Sequence, residues 1–214
     1  EIVRHSLPTI VFPAQAGIQR SVSWIPAFAG MTDRVSSHLR DTRLTWAGKT
    51  RRVITMSKAD FKFHTSLRVR WMECDAQGIV FNGAYMGYLE IAQAEYFRNL
   101  GFSIYRVAQR DYFDSVVVKT VLEFKAPARV DEMLDLHVRV GNFGNTSLHL
   151  DVEIYHPSSD VLLTTIQAVY VGYRAGSGTT LRVPDEIREL AGHFETTGEV
   201  LPLARFPSLA DAAR

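Results

Sequence analysis

The 214-residue chain contains a single cysteine, Cys74. One thiol excludes an internal disulfide and a thiolate set for structural zinc, and it fits a reducing compartment, so a cytoplasmic location is expected. Long apolar runs are missing as well. No stretch reaches the roughly 18 consecutive apolar residues of a membrane-spanning helix, so a soluble chain without membrane insertion is expected. Charge of one sign is not in excess either, with 24 Lys and Arg against 23 Asp and Glu. That near-balance hides an asymmetry. Residues 1–55 hold eight of the basic residues against only Glu1, Asp33 and Asp41, a local balance of +5 that leaves −4 for the remainder. The larger part therefore has no general electrostatic reason to bind nucleic acid.

Residues 1–55 lack a sustained apolar period, and Pro8, Pro13, Pro26, Gly17, Gly30 and Gly48 interrupt them. A packed domain is not expected there. Pro13-Ala14-Gln15-Ala16-Gly17 returns as Pro26-Ala27-Phe28-Ala29-Gly30. Such strings can be written in self-complementary codons, and the segment resembles translated intergenic repeats of bacterial genomes. The expectation is an unstructured leader or a mis-started reading frame with its natural start at Met56. A targeting segment, which would share the arginines and serines, and a functional extension are the competing readings. The domain is then expected over 56–194, with 195–214 as a C-terminal tail.

Residues 61–71 alternate, with Phe61, Phe63, Thr65, Leu67, Val69 and Trp71 on one parity, and predict a strand with one buried face. Residues 73–82 carry Asp75, Gly78 and Asn82 and predict a loop. Tyr85, Leu89, Ala92 and Tyr96 then recur at helical spacing, predicting a helix over 83–99 that ends at Gly101. Gly87 inside it, at a cost of about 1 kcal/mol against Ala, hints at close approach by something. Four strands are predicted next, over 115–125, 133–140, 148–154 and 161–174, with a short helix over 184–190. This order predicts an α+β chain with one long helix against one face of an antiparallel sheet. One helix leaves much of the sheet uncovered, so pairing with a second copy is expected.

The stretch over 70–90, and above all Asp75-Ala76-Gln77-Gly78-Ile79-Val80 ahead of an aromatic-bearing helix start, resembles the hotdog-fold acyl-CoA thioesterases. The resemblance is to the branch that includes 4-hydroxybenzoyl-CoA thioesterase and the short-chain acyl-CoA thioesterases linked to the Tol-Pal cluster. It runs over about residues 61–190 and takes in Leu122-Glu123-Phe124-Lys125-Ala126-Pro127-Ala128. The resemblance implies a hotdog fold, an antiparallel sheet of about five strands wrapped around one long central helix. It further implies hydrolysis of acyl-CoA by Asp75, acting as nucleophile or as general base toward water. The main chain near Asn82 and Gly83 would polarise the thioester carbonyl, and Gly78, Tyr85 and Glu90 would position substrate. No metal and no dissociable cofactor are implied, coenzyme A being part of the substrate. The assembly would be a homodimer or a dimer of dimers with its site between subunits. A thiolate leaving group, with a thiol pKa of roughly 8.5, needs no strong general acid, so one carboxylate and a helix N-terminus can suffice.

The chain departs from some relatives in having Asn82 where they carry His or Tyr, and Ala84 where many carry Asn. A hotdog dehydratase would pair its acid with a histidine, and none accompanies Asp75. A non-catalytic acyl-CoA or acyl-carrier-protein binding module is the alternative from another class. Simpler roles compete for each residue. Asp75 suits a turn or cap and Asn82 a helix N-cap. Cys74 suits a small buried residue, His137 and His149 a surface pair meeting across strands, and Tyr85, Tyr88, Tyr96 and Phe97 a core. Lys119, Lys125, Arg129, Arg139 and Arg174 are candidate partners for the coenzyme A phosphates, without a choice among them.

Overall fold

The computed structural model describes residues 57–159 and 161–214. The readings placed on residues 1–55, including the leader and the repeat, fall outside the described residues. A 3-10 turn at Lys58–Asp60 leads into strand β1 (Phe63–Arg68), a second 3-10 turn (Trp71–Glu73) and the long helix α1 (Ala84–Asn99). A short helix α2 (Ile104–Gln109) precedes strands β2 (Ser115–Phe124), β3 (Met133–Phe143), β4 (Ser147–Tyr155) and β5 (Leu162–Arg174). A two-residue strand β6 (Thr179–Thr180), helix α3 (Asp185–Thr197), a 3-10 turn (Leu203–Arg205) and helix α4 (Pro207–Ala212) complete the order.

The strands form an antiparallel sheet in the order β1-β3-β4-β5-β2, with β6 pairing at the end of β5. Alternation decides its inner face. Leu136, Val138, Leu150, Val152, Ile154 and Ile166 are buried there, in register across β3, β4 and β5. Helix α1 lies against this face and is buried on several sides, at Tyr85, Tyr88, Leu89, Ala92, Gln93, Ala94, Tyr96 and Phe97. A helix apolar around so much of its girth belongs inside a curled sheet. Its end is fixed by Gly101 at φ +97, where Phe102 N–H returns to the Phe97 carbonyl at 3.1 Å. The α+β reading and the sheet wrapped around one helix are thus what the chain adopts.

Several boundaries differ from the alternation. The first strand stops at Arg68, not residue 71, because Arg70 opens a turn closed by Glu73 N–H on the Arg70 carbonyl at 3.0 Å. That turn breaks the parity, and Trp71, expected inside, is 84% exposed. Strand β3 continues to Phe143, its register shifting between Val140 and Asn142 as Gly141 bulges. Residues 195–214, expected as a tail, fold back. Helix α3 runs on to Thr197, and Phe206, Leu209 and Ala212 are buried. Glu186 of α3 accepts from the Leu209 N–H at 2.6 Å, the Ser208 N–H at 3.3 Å and the Tyr112 hydroxyl at 2.9 Å, pinning the start of α4. Glu195 takes the Val140 N–H at 2.8 Å and the Tyr96 hydroxyl at 2.6 Å. Among the described residues no helix is long and apolar enough to cross a membrane.

Candidate active site

The loop between β1 and α1 is closed on itself. Asp75 N–H donates to the Ile79 carbonyl at 2.9 Å, Gly78 N–H to the Asp75 carbonyl at 3.0 Å, and Phe81 N–H to the Glu73 carbonyl at 2.8 Å. Gly78 sits at φ +73, a conformation that glycine adopts without strain, as its reading as a turn residue requires. The Asp75 carboxylate accepts the Gln77 N–H through Oδ1 at 2.8 Å. The turn role weighed against catalysis is therefore real, and it holds the side chain without consuming it, since Oδ2 has no donor among the described residues.

Asp75 and the start of α1 face one open groove of about 420 Å³, lined by Asp75, Ile79, Phe81, Asn82, Tyr85 and Phe124, with Lys125 and Pro127 at its margin. Tyr85 is only 2% exposed and packs edge-on against Phe124, ring centres 5.2 Å apart. Burial, ahead of any neighbour, pushes its phenol above the ordinary tyrosine range, so it stays neutral. At the helix start Ala84 N–H donates to the Phe81 carbonyl at 2.9 Å and Met86 N–H to the Gly83 carbonyl at 3.2 Å. Among the described residues the N–H groups of Asn82, Gly83 and Tyr85 have no acceptor, as expected of a helix N-terminus. Two of these donors belong to groove-lining residues, Asn82 and Tyr85, so the positive end of the helix dipole lies beside the groove.

Asn82 is not the N-cap. Gly83 takes that position with helical dihedrals and no side-chain cap, because the tight turn from Phe81 to Ala84 starts the helix. A Cβ at 83 would lie 2.7 Å from the exposed Phe81 ring, so any larger residue there has to displace that ring. Glu90, expected to position substrate, lies outside the groove. Two turns along α1, its carboxylate accepts the Tyr170 hydroxyl at 3.3 Å. Asp75, Asn82 and Tyr85 are therefore brought together, Gly78 and Gly83 shape the backbone around them, and Glu90 stands apart.

The histidine pair is also corrected. His137 is buried opposite His64 and Glu153, whereas His149 lies opposite Asn142 and Val169, because the antiparallel register of β3 on β4 sets the two histidines several residues apart along the ladder. Among the described residues no cluster of three or more His, Cys, Asp or Glu is placed to hold a metal. Cys74 is half-buried and bridges Val80 across the loop. Of the five cations considered, Lys125 borders the groove and pairs with Glu123 at 2.8 Å, while Arg139 faces Asp151 at 3.7 Å on the far side of the sheet.

Sequence reasoning passed over Glu73 and the role of Tyr88. Glu73 accepts the Tyr88 hydroxyl at 2.8 Å, the Arg70 N–H at 2.8 Å and the Arg70 guanidinium. The Arg70-to-Glu73 spacing was the available signal, since it suits a one-turn ion pair.

The comparisons agree with this geometry. The model of the thioesterase superfamily matches residues 77–162. The acyl-CoA thioester hydrolase YbgC of Escherichia coli is 33% identical over 101 residues, 47% of this chain and 74% of that protein. The acyl-CoA thioesterase YbgC of Haemophilus influenzae is 21% identical over 136 residues, covering 64% of this chain and 98% of the relative. Among solved structures, a 1,4-dihydroxy-2-naphthoyl-CoA thioesterase from Synechocystis superposes with TM-score 0.56 at 17% identity. That match covers 65% of this chain and 98% of the other, and shows the hotdog fold. Sequence similarity and fold together place this chain in the thioesterase superfamily of hotdog-fold enzymes.

Proposed function

We propose that this thioesterase hydrolyses acyl-CoA to a carboxylic acid and free coenzyme A, with Asp75 as the reacting carboxylate. One observation carries the reading: Asp75 lines the same groove as Asn82 and Tyr85, two residues at the helix start whose amides have no acceptor among the described residues, and Ile79, Val80, Phe81 and Phe124 add apolar wall. A thioester carbonyl held against those amides develops its negative charge where donors already point. Asp75, as general base, takes a proton from water as the water oxygen bonds to the carbonyl carbon. Collapse of the tetrahedral oxyanion breaks the C–S bond, expels the thiolate and leaves the carboxylic acid. Asp75 as nucleophile would reach the same products through a mixed anhydride that water then cleaves. No residue needs to protonate the sulfur before it leaves.

The apolar wall of Ile79, Val80, Phe81, Tyr85 and Phe124 suits an acyl group, and Lys125 at its margin suits a coenzyme A phosphate. Phe124, which lines the groove, ends β2, whose Val116, Val117, Val118, Val121 and Phe124 are all exposed at the end of the sheet. A second copy laid along this edge would cover them and wall the groove, so the working form is a homodimer. Thiol release from a panel of acyl-CoAs of graded length, aliphatic and aromatic, tests the activity. Release well above the spontaneous rate for part of the panel is the predicted result, and release at the spontaneous rate for every member would refute it.

A further inference from the structure

The carboxylate of Glu73 is 9% exposed in its side chain, two residues from Asp75 and outside the groove. Its position is overdetermined. One oxygen accepts from Arg70 Nε at 2.8 Å and Nη2 at 2.5 Å, and the other from the Arg70 N–H and the Tyr88 hydroxyl, each at 2.8 Å. The main-chain carbonyl of the same residue accepts the Phe81 N–H at 2.8 Å, closing the base of the Asp75 loop. Tyr88 is buried in the second turn of α1, its ring set edge-on to Tyr85 at 5.5 Å. Glu73 therefore joins three points: the start of the loop, its end, and the helix whose first turn shares the groove with Asp75.

We infer that Glu73 and Tyr88 are positioning residues of the thioesterase reaction, a strut that fixes the Asp75 carboxylate relative to the N-terminal amides of α1. The inference rests on the reading of Asp75 given above. Its physical basis is that attack requires reacting atoms about 3–3.5 Å apart, and a misplacement of about 1 Å costs on the order of 100-fold in rate. A loop tied only by its own short turns could tilt against the helix as a unit. A charge-assisted bond from the helix to the base of the loop removes that freedom. Burial alone would raise the Glu73 carboxyl, but the Arg70 and Tyr88 hydrogen bonds outweigh it and hold the group below the usual carboxylate range. Glu73 thus stays ionised, with both oxygens engaged and neither free to take a proton from water.

The test uses the full chain with Tyr88→Phe, Glu73→Gln and Glu73→Ala, and Asp75→Asn as reference. Thiol release is followed well below each variant's Tm. Tyr88→Phe, which removes one oxygen from a packed ring, is predicted to lower kcat by roughly 10- to 100-fold with KM within about twofold. Glu73→Gln, still able to accept from Tyr88, retains more kcat than Glu73→Ala. The acid limb of the rate profile keeps its midpoint in Tyr88→Phe, because the strut moves no proton. Wild-type kcat in Tyr88→Phe alongside a lowered Tm would overturn the inference, leaving the bond merely structural. A displaced acid limb would overturn it too, by giving the pair a proton to carry. Wild-type turnover in Asp75→Asn would refute the underlying reading of the site, which is a separate failure.

Discussion

A carboxylate that closes a turn and one proposed to perform chemistry are the same side chain at Asp75. Its Oδ1 receives the Gln77 N–H, which fixes the rotamer, and its Oδ2 stays available beside the groove. The pattern from Asp75 to Val80 made this residue legible, since a Gly two to three positions after an acid predicts the turn and the resemblance supplies the chemistry. Glu73 was not legible, because its partner Tyr88 lies 15 residues away on another element. The same scale holds a sharp test at Gly83. A methyl there would sit 2.7 Å from the Phe81 ring, so Gly83→Ala must move that groove-lining ring or shift the helix start. We predict a kcat/KM loss of about 10-fold or more with the fold retained, readable by steady-state kinetics and circular dichroism. Unchanged kcat/KM would mean that Phe81 moves without consequence for the site.

Elements were legible where one face is buried and one is wet. The cores of β3, β4 and β5 follow their period because the inner face of the sheet rewards alternate residues, while the helix at 84–99 was legible from the spacing of Tyr85, Leu89, Ala92 and Tyr96 although it is buried on several sides. Trp71 broke the rule because its strand had already ended, and periodicity carries no mark of where pairing stops. His137 broke it differently. It lies on the polar parity of β3, yet the turn at Lys58–Asp60 and Phe61 cover that end of the sheet, and its ring stacks on His64 at 5.1 Å. Burial first, then His64 and Lys58, lower its pKa to about 4, while Asp135 opposes them. The folded form therefore prefers the neutral ring. Stability from this group is complete above its ordinary value of 6.5 and is lost as pH falls from there toward about 4. Glu153, opposite it on β4 and bonded to Tyr155, acts in the other sense, since burial raises its carboxyl and its neutral form is favoured as pH falls. Chemical denaturation from pH 7 down to pH 4 should show a loss on the order of 1–3 kcal/mol that His137→Phe reduces. An identical loss in that variant would assign the acid sensitivity elsewhere.

At the scale of the whole molecule, the sheet order leaves β2 as a long unpartnered edge, and its exposed valines are what an isolated chain would avoid. Gly87 belongs to the same question. A Cβ there would meet nothing within 4 Å, so no contact among the described residues explains a glycine in the middle of α1. A partner laid against the helix would explain it. Sequence alone predicted a second copy from an uncovered sheet, and the β2 edge proposed for it could not be chosen before β2 was seen to pair with β5 at one end of the sheet. Light scattering should report a dimer, and Val117→Lys with Val121→Lys should shift it toward monomer and reduce turnover together. A dimer that persists at full activity in that variant would place the interface elsewhere. The folding back of residues 203–212 was not legible, because its anchor Glu186 reads as a surface charge on a helix.

The most direct measurement is kcat for Asp75→Asn on the best acyl-CoA of the panel, with Tm recorded beside it. The amide keeps the size of the side chain and an oxygen for the Gln77 N–H, so the account predicts an unchanged Tm and a kcat lowered by at least roughly 100-fold. A kcat equal to that of the unmodified chain would contradict it.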